Sequence, residues 1–127
     1  MITLKPYQER VLESLRDFFR QCAQDGRPEA AFQAVQFGNG STSPVPYIPV
    51  AVEGLAPRMP YVCLRVPTGG GKTLLACYAA GLAMDQLMRA ERAVVLWLVP
   101  SNTILDQTAD ALRDARHPYR RALELAC

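Results

Sequence analysis

The residues in this chain best suited to chemistry lie in the run Pro-Thr-Gly-Gly-Gly-Lys-Thr at positions 67–73. Three successive glycines let the backbone bend sharply and bring N–H groups close to an anion, where side chains would obstruct the approach. Lys72 supplies a mobile cation for outer phosphates, and the Thr73 hydroxyl is suited to ligate an accompanying Mg²⁺ ion. The pattern therefore predicts a phosphate-binding loop, and the helix expected after it would point its positive end at the same anion.

One position departs from the strict pattern of Gly, four residues and Gly-Lys-Ser/Thr, because counting back from Gly71 places Val66 at the first glycine. A flexible surface turn with a solvated lysine is the alternative, but an apolar run precedes the loop and a helical pattern follows it, as a phosphate loop requires. Residues 67–73 resemble motif I of superfamily 2 helicases and translocases, in which the first position varies. The resemblance implies that Lys72 is catalytic, that Thr73 binds Mg²⁺, and that ATP contacts Pro67, Thr68, Gly69, Gly70, Gly71, Lys72 and Thr73.

Two weaker signals accompany the loop. Tyr7-Gln8, near the start of a predicted helix, resembles the glutamine motif of the same enzymes, in which the Gln8 amide would read the adenine edge with one donor and one acceptor. The segment 99–108 resembles motif Ia, which implies that Ser101, Asn102 and Thr103 hold a nucleic-acid backbone at a helix N-terminus. The simpler alternatives are a surface glutamine and a helix capped by Ser101 or Asn102.

Two apolar runs, 61–66 and 93–99, are typical of strands buried on both faces of a parallel sheet. A helical pattern over 74–88 lies between them, so the three elements predict a right-handed crossover unit. A further helix is expected from about Ile104 to Arg113. Upstream, apolar residues at three- and four-residue steps predict an amphipathic helix from Pro6 to about Gln24, which ends at Gly26.

The segment 27–60 contains six prolines and three glycines and predicts a surface insertion. Residues 30–37 suit a short helix or an edge strand, residues 38–44 a turn or mobile tip, and residues 47–52 the second strand of a small hairpin. Near the C-terminal end of the sequence, a cluster of basic residues is equally typical of a contact with a nucleic-acid backbone and of a solvated helix end. Its members are Arg113, Arg116, Arg120 and Arg121.

Composition sets further bounds. The 127 residues suit one domain, and 50% hydrophobic with 20% charged residues is typical of a globular chain. A net charge of +2 is too small to indicate nucleic acid by itself. The cysteines form no C-x-x-C pair and His117 lacks ligand spacing, which favours a reducing compartment without a structural metal. There is no secretion signal, and the apolar runs are too short to span a bilayer, so a cytoplasmic protein is expected.

Taken in order, the three motifs resemble the N-terminal part of a superfamily 2 ATPase, most closely the group that includes the Res subunit of type III restriction enzymes. The resemblance implies an α/β fold, an incomplete RecA-like phosphate-loop domain with a parallel sheet. Its parts would be a glutamine-motif helix (1–26), an insertion (27–60) and a strand-helix-strand-helix core (61–127). The implied partners are duplex or single-stranded DNA, held through the backbone, and a methyltransferase or specificity subunit of the complete protein.

Hydrolysis would also need a carboxylate pair after a later strand and an arginine from a second domain. No acidic residue after the loop directly follows an apolar run that is predicted to form a strand. We therefore expect ATP binding without catalysis by these residues alone, and weak autonomous folding. Two other classes stay open: a small-molecule kinase, although such chains usually begin at the strand before the loop, and a non-enzymatic nucleotide- or DNA-binding module.

Overall fold

The computed structural model describes residues 3–38, 43 and 45–126. Within these ranges all regular elements are helical: α1 (Pro6–Asp25), α2 (Pro28–Gly38), α3 (Lys72–Leu82), a π-helix (Ala83–Met88) that continues α3, α4 (Asn102–Arg113) and α5 (Pro118–Ala126). Most of the turn predicted at 38–44 lies outside the described residues. No described helix combines the length and the apolar composition needed to cross a bilayer.

Helix α1 confirms the amphipathic helix that the sequence predicts. Pro6 occupies its first position, where the missing N–H costs nothing. Gly26 ends the helix at φ 61°, a left-handed conformation that favours glycine, and its N–H donates to the Cys22 carbonyl at 2.9 Å. The buried face follows the three- and four-residue spacing and consists of Gln8, Leu12, Leu15, Phe18 and Cys22.

The main hydrophobic core forms between α1 and α2. Ala31 is buried with Leu15 and Phe18 of α1. The Phe32 ring packs edge-on against Phe18 at 6.4 Å and tilted against Tyr47 at 5.5 Å. Within the segment 27–60, α2 turns its apolar side chains onto α1 and so contributes to the core, and the interpretation of the segment as an insertion stays a prediction. Of the two alternatives for residues 30–37, the helix is the one that forms.

Helix α3 lies between α1 and α5. Leu75, Cys77 and Gly81 form its buried side. Gly81 contacts the backbone carbonyl of Ala126 at the end of α5, an approach that only a residue without a Cβ permits. The π-helix that follows packs on α1 as well, so α1 supports the whole length of the segment that follows the loop.

The predicted parallel sheet, and with it the α/β RecA-like fold class, is wrong. The segments 61–67 and 92–99 contain no strand, and no backbone–backbone hydrogen bond joins them in the described part of the chain. Val94 and Leu98 are 99% and 82% exposed, whereas a strand in a covered parallel sheet would bury them. The apolar pattern predicts that these residues are buried. A strand also needs a neighbouring strand for its N–H and C=O groups, and neither segment has one in the described part of the chain.

The small hairpin predicted to include residues 47–52 is also absent from the described residues, since that segment contains no strand. Tyr47 instead fixes the segment by its side chain. The ring packs on Phe32, and the hydroxyl accepts a hydrogen bond from the Tyr61 N–H at 3.0 Å. The chain before the predicted phosphate loop is therefore attached to the core through side chains.

Candidate phosphate-binding site

The predicted phosphate loop is a tight turn that leads directly into α3. The Gly70 N–H donates to the Pro67 carbonyl at 2.9 Å, which closes the turn. Gly69 and Gly71 have φ angles of 75° and 78°, a region that residues with a side chain rarely adopt. As the sequence indicates, the glycines let the backbone bend sharply, along a path that other residues could adopt only with strain.

The middle glycine is required for a different reason. A Cβ at Gly70 would lie 2.5 Å from Val66 Cγ1 and 2.8 Å from the Pro67 carbonyl oxygen. Both distances are shorter than any real Cβ contact, so no side chain fits at residue 70. Val66, the departure from the strict pattern, is the residue whose side chain fills this space.

Two side chains from the first turn of α1 meet the loop at a single atom. The Tyr7 hydroxyl donates to the Gly70 carbonyl oxygen at 2.7 Å, and Gln8 Nε2 donates to the same oxygen at 3.0 Å. These contacts span 63 and 62 residues of sequence. The start of α1 and the predicted phosphate loop are therefore in direct contact.

The Gln8 amide has partners at both ends. Its Oε1 accepts from the Lys5 N–H at 2.9 Å, at the start of α1, while its Nε2 donates to Gly70. The side chain is buried, and Nε2 would lie only 2.6 Å from a Cβ at Gly71. An amide can make four hydrogen bonds, so one N–H and one lone pair are left for adenine. Adenine recognition by Gln8 stays a prediction.

The charged and hydroxyl groups of the loop lie at the beginning of α3. Lys72 is exposed, and its Nζ donates to the Pro67 carbonyl at 3.2 Å, across the mouth of the turn. Within the described residues, no side chain caps α3, whose N-cap residue is Gly71. The N–H groups of its first turn, the helix dipole and Lys72 therefore favour an anion at the same point.

The residues predicted to contact nucleic acid lie at the start of α4. Ser101 is the N-cap, and its Oγ accepts from the Ile104 N–H at 3.4 Å. Asn102 and Thr103 are exposed. The capped helix of the simpler interpretation is thus present, and the nucleic-acid contact stays a prediction.

An open cleft of about 660 Å³ lies between the start of α3 and the residues next to the start of α4. Lys72 and Thr73 line it from α3, and Pro100 and Ile104 line it from the α4 side. The wall between these ends is mostly apolar and includes Ala76, Ala79, Ala80 and residues 95–99. Lys72 and Thr73 therefore share this cleft with Pro100 and Ile104, the residues that flank the predicted nucleic-acid contact at 101–103.

The basic cluster near α5 is partly neutralised. Arg120 pairs with Glu124 at 2.7 Å, and Arg113 lies 3.9 Å from Asp110. His117 Nδ1 accepts from the Tyr119 N–H at 3.2 Å and so supports the start of α5. No group of three metal-ligating side chains occurs among the described residues. Both interpretations of the cluster, a contact with a nucleic-acid backbone and a solvated helix end, stay predictions.

Sequence reasoning missed the contribution of Tyr7 to the site. It used this residue only as the aromatic neighbour of Gln8, whereas the structure places its hydroxyl on the loop. The available signal was the position, because Tyr7 lies next to Gln8 at the start of the same helix.

A family model described as "Type III restriction enzyme, res subunit" matches residues 1–125 of the chain. The match covers the start of α1, the phosphate loop and α4, which are the three places where the sequence resembles a helicase-like ATPase. No curated protein and no solved structure matches the chain.

Proposed function

Since this chain belongs to the family of type III restriction enzyme Res subunits, we propose that its phosphate loop binds ATP with Mg²⁺. Membership in the family supports a helicase-like, restriction-related ATPase function in general terms, with ATP as cofactor and DNA as partner. The assignment of these roles to particular residues is the proposal.

The observation that carries the proposal is the path of the chain from Gly69 to Lys72. Two glycines with positive φ angles turn the backbone, and the helix that follows begins without a side-chain cap. Such an arrangement directs N–H groups at an anion without a side chain in the way. The donors present fit a triphosphate.

Each residue then has a defined role. The N–H groups of the loop and of the first turn of α3 would hold the phosphates. Lys72 would leave the Pro67 carbonyl and bind the outer phosphates, because a charged oxygen is a stronger acceptor than a neutral carbonyl. Thr73 would ligate Mg²⁺, whose positive charge would offset that of the phosphates.

The test is ATP binding by the 127-residue chain, measured by isothermal titration calorimetry with and without Mg²⁺. We expect Lys72→Ala to lower the affinity at least tenfold, since it removes a charge-assisted contact. Lys5→Ala is the matched control, because Lys5 is the other lysine of the chain and its side chain lies outside the loop. Thr73→Ala should weaken binding only when Mg²⁺ is present. Equal affinities of the Lys72 and Lys5 variants would contradict the proposal.

The second part of the proposal concerns DNA. Pro100 and Ile104, which flank the exposed N-terminus of α4, line the same cleft as Lys72, and we infer that Asn102 and Thr103, beside the capping Ser101, contact the backbone of a DNA strand. A methyltransferase or specificity subunit as a further partner belongs to this proposal as well, as an implication of the family.

Fluorescence anisotropy with a labelled oligonucleotide tests the DNA contact. The double variant Asn102→Ala/Thr103→Ala should bind severalfold more weakly and with a shallower salt dependence. Gln107→Ala is the control, since this residue is exposed on the same helix more than one turn away from its start. Ser101 is left unchanged because its loss would also remove the cap. If both variants bind like the wild type, α4 is not the DNA contact.

A further inference from the structure

The two donors on the Gly70 carbonyl oxygen determine the orientation of one particular peptide group. A carbonyl oxygen has two lone pairs, and Tyr7 Oη and Gln8 Nε2 together can occupy both. The peptide group that carries this oxygen joins Gly70 to Gly71. Its orientation is therefore set from α1 and not by the loop alone.

The peptide bond is planar and trans, so the Gly71 N–H points away from the Gly70 carbonyl. Because Tyr7 and Gln8 hold the carbonyl toward α1, the Gly71 N–H must point to the opposite side. Gly71 immediately precedes Lys72, the first residue of α3. Its N–H is therefore next in sequence to the unpaired N–H groups of the first turn of that helix.

We propose that Tyr7 is a positioning residue of the phosphate site: its hydroxyl, with the Gln8 amide, orients the Gly70–Gly71 peptide so that the Gly71 N–H faces the phosphates. This inference rests on the proposed function of the loop as an ATP site. It assigns Tyr7 a role in phosphate binding that is separate from any reading of adenine by Gln8.

The support for this pair of donors comes from the core. Tyr7 and Gln8 lie in the first turn of a helix that Leu15, Phe18 and Cys22 fix against its neighbours. A glycine-rich loop is costly to order, because glycine loses more conformational freedom than other residues. Attachment to a packed helix fixes the loop before the ligand arrives, so binding loses less entropy.

The first experiment examines the free protein by nuclear magnetic resonance. Tyr7→Phe removes the hydroxyl and keeps the ring, and we expect changes in the carbonyl ¹³C shift of Gly70 and in the amide shift of Gly71. Amide hydrogen exchange of the loop should become faster. Tyr119→Phe, which changes a tyrosine of α5, should leave these signals in place.

The second experiment measures affinity for two ligands, ATP and inorganic triphosphate. Loss of a single hydrogen bond that orients the loop should weaken both by about the same factor, roughly fivefold. Unfolding of both tyrosine variants, followed by circular dichroism, checks that their folds are intact. The effect on inorganic triphosphate separates phosphate positioning from adenine recognition.

The outcomes are distinguishable. Unchanged loop signals in Tyr7→Phe, or a loss of affinity for ATP without a loss for triphosphate, would overturn the role of Tyr7. If the wild type binds neither ligand, the proposed ATP site fails, and with it the role of Tyr7 in phosphate binding. Changed loop signals, combined with equal losses of affinity for ATP and for triphosphate, support the role of Tyr7.

Discussion

The Val66 side chain occupies the space that a side chain on Gly70 would need, at the start of the phosphate loop. The Val66 side chain stands where a Cβ on residue 70 would be, 2.5 Å from its Cγ1. A valine at position 66 therefore requires a glycine at position 70. The departure from the strict phosphate-loop pattern and the second of the three glycines are two aspects of one packing arrangement.

The first prediction follows from this packing arrangement. Gly70→Ala should displace the loop and lower ATP affinity at least tenfold, and Val66→Ala/Gly70→Ala should recover part of the loss. The recovery is partial because the Pro67 carbonyl oxygen would still lie 2.8 Å from the new Cβ. Titration calorimetry of the single and double variants measures the coupling.

Gly69→Ala is the matched control for this experiment. No atom lies within 4 Å of a Cβ at residue 69, so the substitution adds only the strain of a positive φ, about 1 kcal/mol. A greater loss from Gly69→Ala than from Gly70→Ala would mean that crowding by Val66 does not control the loop.

The second prediction concerns pH. Burial, and then the nearby negative charge of Glu29, raise the pKa of the Cys22 thiol from 9.0 to about 11. The folded state thus favours the neutral thiol. The stabilisation that the buried neutral thiol contributes is complete below pH 9 and is lost as the pH rises through about 11.

Urea unfolding between pH 8 and pH 11 measures this loss. Cys22→Ala should be less stable at every pH and should lose less stability across the interval, since alanine does not titrate. The difference in stability between the wild type and the variant isolates the contribution of Cys22 from that of the rest of the chain. Parallel curves for the two proteins would refute the prediction.

The third prediction is that Gly81→Ala has the opposite of the usual effect of alanine on the stability of a helix. Replacing a glycine by alanine inside a helix usually stabilises a protein by up to about 1 kcal/mol. Gly81→Ala should instead destabilise this one by roughly 1–2 kcal/mol, because the Ala126 carbonyl lies against Gly81 and α5 must move away. Thermal unfolding followed by circular dichroism gives the sign.

A second variant checks the cause. Truncation after Leu125 removes the residue that Gly81 contacts, so Gly81→Ala should no longer destabilise the shortened chain. If Gly81→Ala destabilises the full-length and truncated proteins equally, contact with α5 is not the reason.

The fourth prediction concerns the segment 92–99. Val94 is almost fully exposed, so Val94→Lys should change the free energy of unfolding by less than about 0.5 kcal/mol. It should also reduce self-association, because a charge interrupts an uncharged apolar run of high strand propensity. Light scattering and urea unfolding provide the two measurements.

Leu75→Ala serves as the contrast, since Leu75 is buried in α3 and its truncation should cost about 2–5 kcal/mol. A loss from Val94→Lys comparable to that of Leu75→Ala would show that residue 94 is buried in solution.

The features that the sequence predicted correctly are local. The apolar spacing of α1, its end at Gly26 and the Ser101 cap depend on residues within one or two turns of each other. The family assignment likewise depended on short motifs, which the family match confirms.

The features that were missed depend on distant partners. An apolar run such as 93–99 indicates a preference for burial, but the partner of a strand is not encoded in the run itself. The packing of α2 on α1 and the hydrogen bond from Tyr7 to Gly70 also join segments that periodicity treats separately.

The π-helix Ala83–Met88 changes the side of the helix axis from which the chain leaves after α3. A π-helix accommodates one residue more than an α-helical turn does, and each residue of an α-helix turns the chain by about 100°. Deletion of a single residue from this segment would therefore leave the loop end of α3 in place while rotating everything that follows. The direction in which the chain leaves the helical segment at Met88 thus depends on a single extra residue.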